Sequence, residues 1–286
     1  MMTAQFTLSG PENRWFIACC IKCSGMLTPY IQKGRILFKG GATVSCLTML
    51  MFGEPMRLCG RISRLGMSGP KEAGSKSHAL LYRQGDLIDA DGRSWEILKS
   101  FGPDDCYVIG ANAIDSFGHA AMLVGSPAGG TYGKCLPTLY SEGFKVIIPV
   151  SAQKLVPGNL EDIYPQVGIK KCDIAYGMRC GLLPIPGVIV TEREAAEAYA
   201  DVKAVIFAAG GHTGSESAVA VQISGSESEV KKVLDLVEQV RSIPEGPLGD
   251  EVSDISSDKT KRINYSLGTV TKIRQEAEHE NRQENC

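Results

Sequence analysis

Residues 104–134 read DDCYVIGANAIDSFGHAAMLVGSPAGGTYGK, and they hold the most informative pattern in the chain. Two apolar runs within them, residues 106–109 and 120–124, each end at a glycine. Short apolar runs bounded by glycine are typical of strands buried on both faces of a sheet. A second glycine-rich stretch, residues 125–131, follows the later run. Because ligands of open α/β sheets bind where strands end, we predict that both loops border a ligand site.

A related arrangement occurs nearer the N-terminus, in residues 35–52. A predicted strand at residues 35–39 runs through Gly40 and Gly41 into a helix predicted over residues 44–52. The first N–H groups of such a helix are unpaired and can bind an anion. Strands are further predicted at residues 56–59, 79–82, 86–88, 106–110, 120–124 and 145–149, and helices at residues 94–100 and 134–143.

The alternation of these strands and helices predicts an α/β domain over residues 31–186, with a mostly parallel, Rossmann-like sheet and helices on both faces. Residues 187–245 show a different order, strand–helix–strand–strand–helix, which predicts a small ferredoxin-like α+β domain. Residues 1–30 have no clear period beyond a short helix near Trp15. Residues 246–286 are polar, and we expect them to form a disordered tail.

Composition restricts the class of protein. The 286 residues include 30 Lys and Arg against 32 Asp and Glu, so the basic excess of a nucleic-acid-binding protein is missing. The apolar runs are too short to span a bilayer, and a secretory signal pattern is not evident. Ten cysteines in a chain of this length indicate reduced thiols in the cytoplasm. The pair Cys20 and Cys23 has metal-site spacing but lacks a matching second pair, so we predict neither a metal nor a cofactor.

Residues 110–115 and 125–134 together resemble the superfamily of ribose-5-phosphate isomerases, glucosamine-6-phosphate deaminases, CoA transferases and translation initiation factor 2B-type subunits. Residues 39–43 are similar to the first phosphate-binding turn of the same group. The resemblance covers residues 34–157 and implies a homo-oligomer that binds a small anionic ligand. With Arg61, which follows a predicted strand, the predicted ligand-binding residues are Lys39, Gly40, Gly41, Ala42, Thr43, Arg61, Gly110, Gly125, Gly129, Gly130, Thr131 and Lys134.

The proton-transfer residues of the isomerases are mostly replaced. Their loop reads Asp-Gly-Ala-Asp, whereas Ile109 and Asn112 occupy the two carboxylate positions here. An amide cannot act as a general base. Asp115 is the carboxylate that remains, and it can act as a base if burial raises its pKa; the alternative is an Asp that caps a turn. Asn112 either orients a hydroxyl or carbonyl group of the substrate or is a turn residue. We take Asp115 and Asn112 as the catalytic candidates.

Four cations are candidates to pair with phosphate or carboxylate: Lys39, Arg61, Lys134 and Lys154. We rank Arg61 first because it follows a predicted strand directly, although a solvated surface cation is the commoner outcome for each of the four. His212 lies in a Gly-rich stretch that indicates a hairpin connection first and a site second.

Three functions are compatible with these patterns. The first is binding of a phosphorylated sugar, nucleotide or acyl-CoA in a Gly-rich pocket, and the resemblance implies isomerase-like or related transferase activity. The second is a non-catalytic metabolite sensor or regulatory subunit on the same scaffold, which the missing carboxylates favour. The third is a structural assembly protein, because residues 203–242 faintly resemble shell proteins of bacterial microcompartments; this last resemblance explains nothing before residue 187.

Overall fold

The computed structural model describes residues 1–58, 60–63, 66–69, 76–243 and the strand at residues 263–265. The strands are β1 (Met2–Leu8), β2 (Arg35–Lys39), β3 (Arg61–Ser63), β4 (Gly66–Ser68), β5 (Ala79–Arg83), β6 (Asp86–Asp89), β7 (Cys106–Ile109), β8 (Ala113–Ile114), β9 (Ala120–Val124), β10 (Lys145–Pro149), β11 (Ile174–Tyr176), β12 (Gly181–Pro184), β13 (Val188–Val190), β14 (Val202–Gly210), β15 (Ala218–Gly225) and β16 (Ile263–Tyr265). The helices are α1 (Gly10–Cys23), α2 (Thr28–Lys33), α3 (Ala42–Phe52), α4 (Ser94–Lys99), α5 (Gly130–Ser141), α6 (Leu160–Ile163), α7 (Glu192–Tyr199) and α8 (Glu227–Arg241).

The largest sheet has six strands in the order β13-β10-β7-β2-β5-β6. Strands β13, β10, β7 and β2 are mutually parallel, while β5 and β6 continue the sheet antiparallel. Successive residues of β2 point to opposite faces, so Ile36 and Phe38 join one buried cluster and Leu37 joins another. The chain is therefore an α/β protein with a mixed sheet that is buried on both faces.

Helices cover the two faces unequally. Helices α1 and α3 pack against each other, and α1 also packs against α7. Their buried residues, such as Phe16 and Leu47, share one cluster with Phe38 of β2. On the opposite face α4 packs against α5, and Leu98 and Leu139 share the second cluster with Leu37. The local sequence patterns predicted α3, α4 and the strands of this sheet to within a few residues.

Residues 1–30 are part of the folded core. Strand β1 pairs antiparallel with β15, which pairs in turn with β14, so the N-terminal strand joins a three-stranded sheet with strands from residues 202–225. Leu8 and Phe16 are fully buried. Because β13 joins the six-stranded sheet instead of this one, residues 187–245 do not form a ferredoxin-like sheet by themselves.

Two further expectations differ from the structure. Residues 56–58, predicted as a strand, form no regular element, and Cys59 lies outside the described residues. Strand β9 was expected at the same edge of the sheet as β7, but it pairs antiparallel with β8 and β12 in a separate sheet. The reason is local: residues 112–121 fold back as a hairpin, in which the Asn112 N–H donates to the Ala121 carbonyl. The predicted disordered tail, residues 246–286, lies outside the described residues except for β16, which pairs with β11.

Membership of residues 1–30 in the core predicts a stability effect. Leu8→Ala removes a fully buried side chain and should lower the free energy of unfolding by about 3 kcal/mol. Thr7→Ala, at the exposed neighbouring position, should change it by less than about 0.5 kcal/mol. Equilibrium unfolding in urea measures both values. Equal stability of Leu8→Ala and the wild-type chain would contradict the assignment.

Candidate functional site

The carboxyl ends of the four parallel strands meet at one edge of the six-stranded sheet, which we call the carboxyl edge. Gly40 and Gly41 follow β2, Gly110 and Ala111 follow β7, residues 150–154 follow β10, and residues 191–192 follow β13. Since these strands are buried on both faces, this edge is where polar groups can be presented to a ligand.

Gly40 and Gly41 form the turn between β2 and α3, and both are in contact with neighbouring backbone. A Cβ on Gly40 would lie 2.3 Å from the Arg57 carbonyl oxygen, so a side chain does not fit there. Gly41 is the N-cap of α3 and supplies no side-chain acceptor to the first turn of that helix. A Cβ on Gly41 would find Gly110 Cα 3.9 Å away as its nearest atom, and a Cβ on Gly110 would find the Pro149 carbonyl oxygen at 3.8 Å. The ends of β2, β7 and β10 therefore lie side by side next to the uncapped N–H groups of α3, with ordinary contact distances between them.

Lys154 is the central cation of the carboxyl edge. It ends a short 3-10 turn, residues 152–154, directly after β10, and its Nζ donates to the Ala111 carbonyl oxygen at 2.6 Å. Burial of the ammonium group is the larger cause that lowers the pKa of Lys154 to about 8, and the positive charge of Arg14 adds to this shift. A buried cation is normally paired with a carboxylate.

Arg14, on α1, is the second cation of the carboxyl edge. Its charge acts on Lys154 and also on Cys46 of α3, where burial raises the pKa of the thiol to about 12 and Arg14 opposes that shift. Neither Arg14 nor Lys154 forms an ion pair with any residue that the structure describes. The charge of Arg14 thus acts on Lys154, and neither cation is paired with an acid among the described residues.

Two buried polar side chains flank these cations. Glu192, the first residue of α7, has no exposed surface; its Oε2 accepts the Ala152 N–H at 3.0 Å, and its Oε1 has no partner in the described part of the chain. Burial raises the pKa of Glu192, although the Ala152 N–H and the Ser151 hydroxyl oppose that shift. Asn13, next to Arg14, donates through Nδ2 to the Ser217 carbonyl oxygen, while its Oδ1 is buried without a described partner.

The glycine-rich stretch 125–131 joins β9 of the three-stranded β8–β9–β12 sheet to α5. Gly129 is the N-cap of α5 at φ +75°. A Cβ on Gly129 would lie 2.4 Å from Leu183 Cδ1 of β12, so this part of the loop is filled by protein. The other predicted residues here are at the loop or on α5, namely Gly125, Gly130, and the exposed Thr131 and Lys134. The stretch packs against β12, and the charge of Lys39 at the end of β2 acts on Cys135 of the α5 helix that follows it.

Asp115 proves to be a structural carboxylate. Its side chain has no exposed surface, and its oxygens accept N–H groups from Phe117, His119 and Leu160 at 2.8–2.9 Å. The His119 ring lies 2.8 Å from Oδ2 through Nδ1. Burial alone would raise the pKa of Asp115, but these donors outweigh it and lower the pKa to about 2. The raised pKa that a base role required is not found, and the alternative of an Asp that caps a turn fits, because these donors stabilise the ionised form.

The remaining predicted site residues lie in several different elements of the structure. Asn112 Oδ1 accepts the Leu123 N–H at 3.0 Å and so holds the β8–β9 hairpin. Arg61, ranked first among the cations, lies in the two-stranded β3–β4 sheet. Lys39 ends β2 at that edge, and Thr43 is buried in the first turn of α3. His212 lies in the loop that joins β14 to β15.

Sequence reasoning missed part of this site. It named Lys154 but ranked it below Arg61, and it did not consider Asn13, Arg14 or Glu192. A signal for Lys154 was present: it follows a predicted buried strand by five residues, just as Gly41 and Gly110 closely follow theirs. Arg14 gave no such signal, because its position at the edge depends on pairing between β1 and β15, more than 200 residues away in sequence.

Comparisons with known proteins add no assignment to this geometry. No protein-family model, no curated protein and no solved structure matches the chain significantly. Within the described residues, no group of three or more His, Cys, Asp or Glu side chains could hold a metal ion, and no helix has the length and hydropathy to cross a membrane. The resemblance to the isomerase superfamily therefore stays a prediction.

The structural role of Asp115 predicts both a mutational and a pH effect. Asp115→Asn should lower the free energy of unfolding by about 2–3 kcal/mol at pH 7, because it removes a charged acceptor from buried N–H donors. The pKa of Asp115 lies below that of an unfolded Asp, so its contribution is present above about pH 4 and is lost as the pH falls toward 2.

Urea unfolding of the wild-type chain and Asp115→Asn at several pH values measures this difference. The exposed Asp104→Asn variant is the matched control and should behave like the wild-type chain at pH 7. A stability gap between the wild-type chain and Asp115→Asn that stays constant down to pH 2 would contradict the assignment.

Proposed function

We propose that this chain binds a small anionic metabolite at the carboxyl edge of its six-stranded sheet, with Lys154 and Arg14 as the cations that receive the anion. The observation that carries the proposal is the half-buried Lys154, whose ammonium group donates to the Ala111 carbonyl oxygen and has no acidic partner among the described residues. A bound phosphate or carboxylate would supply the missing negative charge. The uncapped N-terminus of α3, which begins at the same edge, supports the same conclusion.

The proposal treats the six-stranded sheet as a Rossmann-like scaffold and keeps the predicted ligand class of phosphorylated sugar, nucleotide or acyl-CoA, together with carboxylated metabolites. It moves the centre of the site from the stretch 125–131 to residues 150–154. Lys39, Gly40, Gly41, Thr43 and Gly110 remain candidate ligand contacts.

Turnover is a second candidate function, and Glu192 is the observation that favours it. Isomerisation needs a carboxyl group that exchanges protons, which Asp115 cannot do with a pKa of about 2. Glu192 has a raised pKa and an unpartnered oxygen on the same edge. Glu192→Gln should therefore keep binding of a sugar phosphate while abolishing its isomerisation. Equal turnover by Glu192→Gln would exclude this residue as the base, and binding without turnover in the wild-type chain favours the sensor function.

Binding is tested by calorimetry with inorganic phosphate, fructose 6-phosphate, AMP, acetyl-CoA and pyruvate. Lys154→Met and Arg14→Met should each raise the Kd for the anion roughly 10- to 100-fold, as expected for the loss of one charged contact. Lys134→Met, at an exposed position on α5, is the matched control and should bind like the wild-type chain. Loss of binding in Lys134→Met alone would instead place the site at the glycine-rich stretch 125–131.

A stability measurement separates a functional Lys154 from a structural one. In the ligand-free chain the unpaired charge of Lys154 destabilises the folded state. A methionine at this position keeps the apolar stem but removes the charge. Lys154→Met should therefore have a Tm equal to or above that of the wild-type chain. A Tm several degrees lower would mean that Lys154 has a structural role, in which its hydrogen bond to the Ala111 carbonyl oxygen stabilises the fold.

A further inference from the structure

We propose that two copies of this chain associate by antiparallel pairing of β14 with β14 across a two-fold axis, so that their three-stranded sheets join into one continuous sheet. This interface is separate from the proposed ligand site and goes beyond the proposed function. The outer edge of β14 carries it, because main-chain groups without partners and exposed apolar side chains occur there together.

Strand β14 is an edge strand, since β15 is its sole neighbour among the described strands. The Ala204 N–H donates to Glu197 Oε1 at 3.0 Å, so the main-chain groups of Ala204 point away from β15. Because this direction alternates along an antiparallel strand, the main-chain groups of Ile206 point outward as well. No described residue forms a hydrogen bond with Ile206 on that side. Its N–H and C=O can therefore pair with another strand.

Beyond the bulge in the middle of β14, Ala209 also faces outward. On β1, the Thr7 carbonyl points away from β15 and accepts from Arg241 Nη2 at 3.1 Å. Its partner Ala220 therefore directs its main-chain groups toward β14, where it faces Ala208. Ala209, the next residue, consequently presents its N–H and C=O to the outer edge, where no described residue bonds to them. The bulge thus does not end the row of outward groups.

The side chains around this edge are apolar and exposed. Val205 is 44% exposed and Phe207 is 54% exposed, and residues 207–217 are exposed without interruption. Phe207 also lines a groove of about 420 Å³ together with residues of β1 and α8, among them Phe6 and Val237. A continuous surface of this kind is what an interface that buries about 800 Å² on each partner requires.

The outer strands of the six-stranded sheet, and β1, differ from β14 because they are protected. Arg241 occupies an outward carbonyl of β1, the edge strand β6 has exposed Asp86 and Asp89 at its two ends, and β13 is only three residues long. Side-chain caps, charges and short length keep an edge from pairing with another chain. Glu197 caps the first half of β14 in this way, whereas residues 205–210 have neither a charge nor a described cap.

A second copy of this chain is the partner that fits this edge. In an antiparallel pair related by a two-fold axis, the outward N–H groups of each strand face carbonyl groups of the other, so one strand can complement itself. Lys203 is the only charged residue of β14, and the antiparallel arrangement puts the two Lys203 side chains at opposite ends of the pair. The strand therefore meets its own copy without repulsion between like charges, and it offers no charges with which to select a charged peptide.

Analytical ultracentrifugation of the full chain over a range of protein concentrations tests this interface. We expect the wild-type chain to sediment with the mass of two copies. Phe207→Lys and Ala209→Lys each place a charge opposite the second copy and should raise the Kd of the dimer at least about 100-fold. Tyr140→Lys, which changes a 65% exposed aromatic residue on α5, is the matched control and should leave that Kd unchanged. Circular dichroism shows whether each variant is folded.

Amide hydrogen exchange of the wild-type chain locates the contact even if a variant does not fold. We expect protection of the Ile206 and Ala209 amides to rise with protein concentration. The Ala204 amide, which is bonded to Glu197 within one copy, is the internal reference and should be protected at every concentration. A wild-type chain that stays monomeric overturns the proposal. So does a dimer that persists in both folded lysine variants, or one in which Ile206 and Ala209 exchange as fast as in the monomer.

Discussion

Burial of the six-stranded sheet on both faces is the constraint on which the rest of this structure depends. Alternate residues of β2 and β7 enter separate apolar clusters, so neither face of these strands can carry a polar group. Functional side chains must then stand at strand ends, where four parallel strands bring their carboxyl termini together. Lys154 stands at such a strand end. Its ammonium group is removed from water without an acidic partner among the described residues, which is unfavourable in free energy.

Segments far apart in sequence complete this edge. Strand β1 pairs with β15, and that pairing positions α1 against α3 and α7. The N-terminal part of α1 therefore brings Asn13 and Arg14 toward the turn that contains Lys154, and the Asn13 amide donates to Ser217 in the β14–β15 loop. The site is thus assembled from three separate segments of the chain, near residues 13–14, 150–154 and 217.

Much of the fold follows from local sequence patterns, because apolar runs bounded by glycine specify β2, β7 and β10 directly. Strand partners do not follow from such patterns. The apolar residues of β9 fit a parallel or an antiparallel strand equally well, and the hairpin held by Asn112 decides between them. For the same reason Asp115 could not be interpreted from sequence: its pKa depends on N–H donors that the fold supplies, including Leu160, 45 residues away.

Lys154 is the cation on which this site depends, and the described residues give its ammonium group no acidic partner. NMR detection of the lysine side-chain nitrogens during a pH titration measures this directly, with Lys154→Met to assign the signal. We expect the Lys154 amine of the ligand-free chain to titrate near pH 8. Titration near about pH 10.4, as for a solvated lysine, would contradict it.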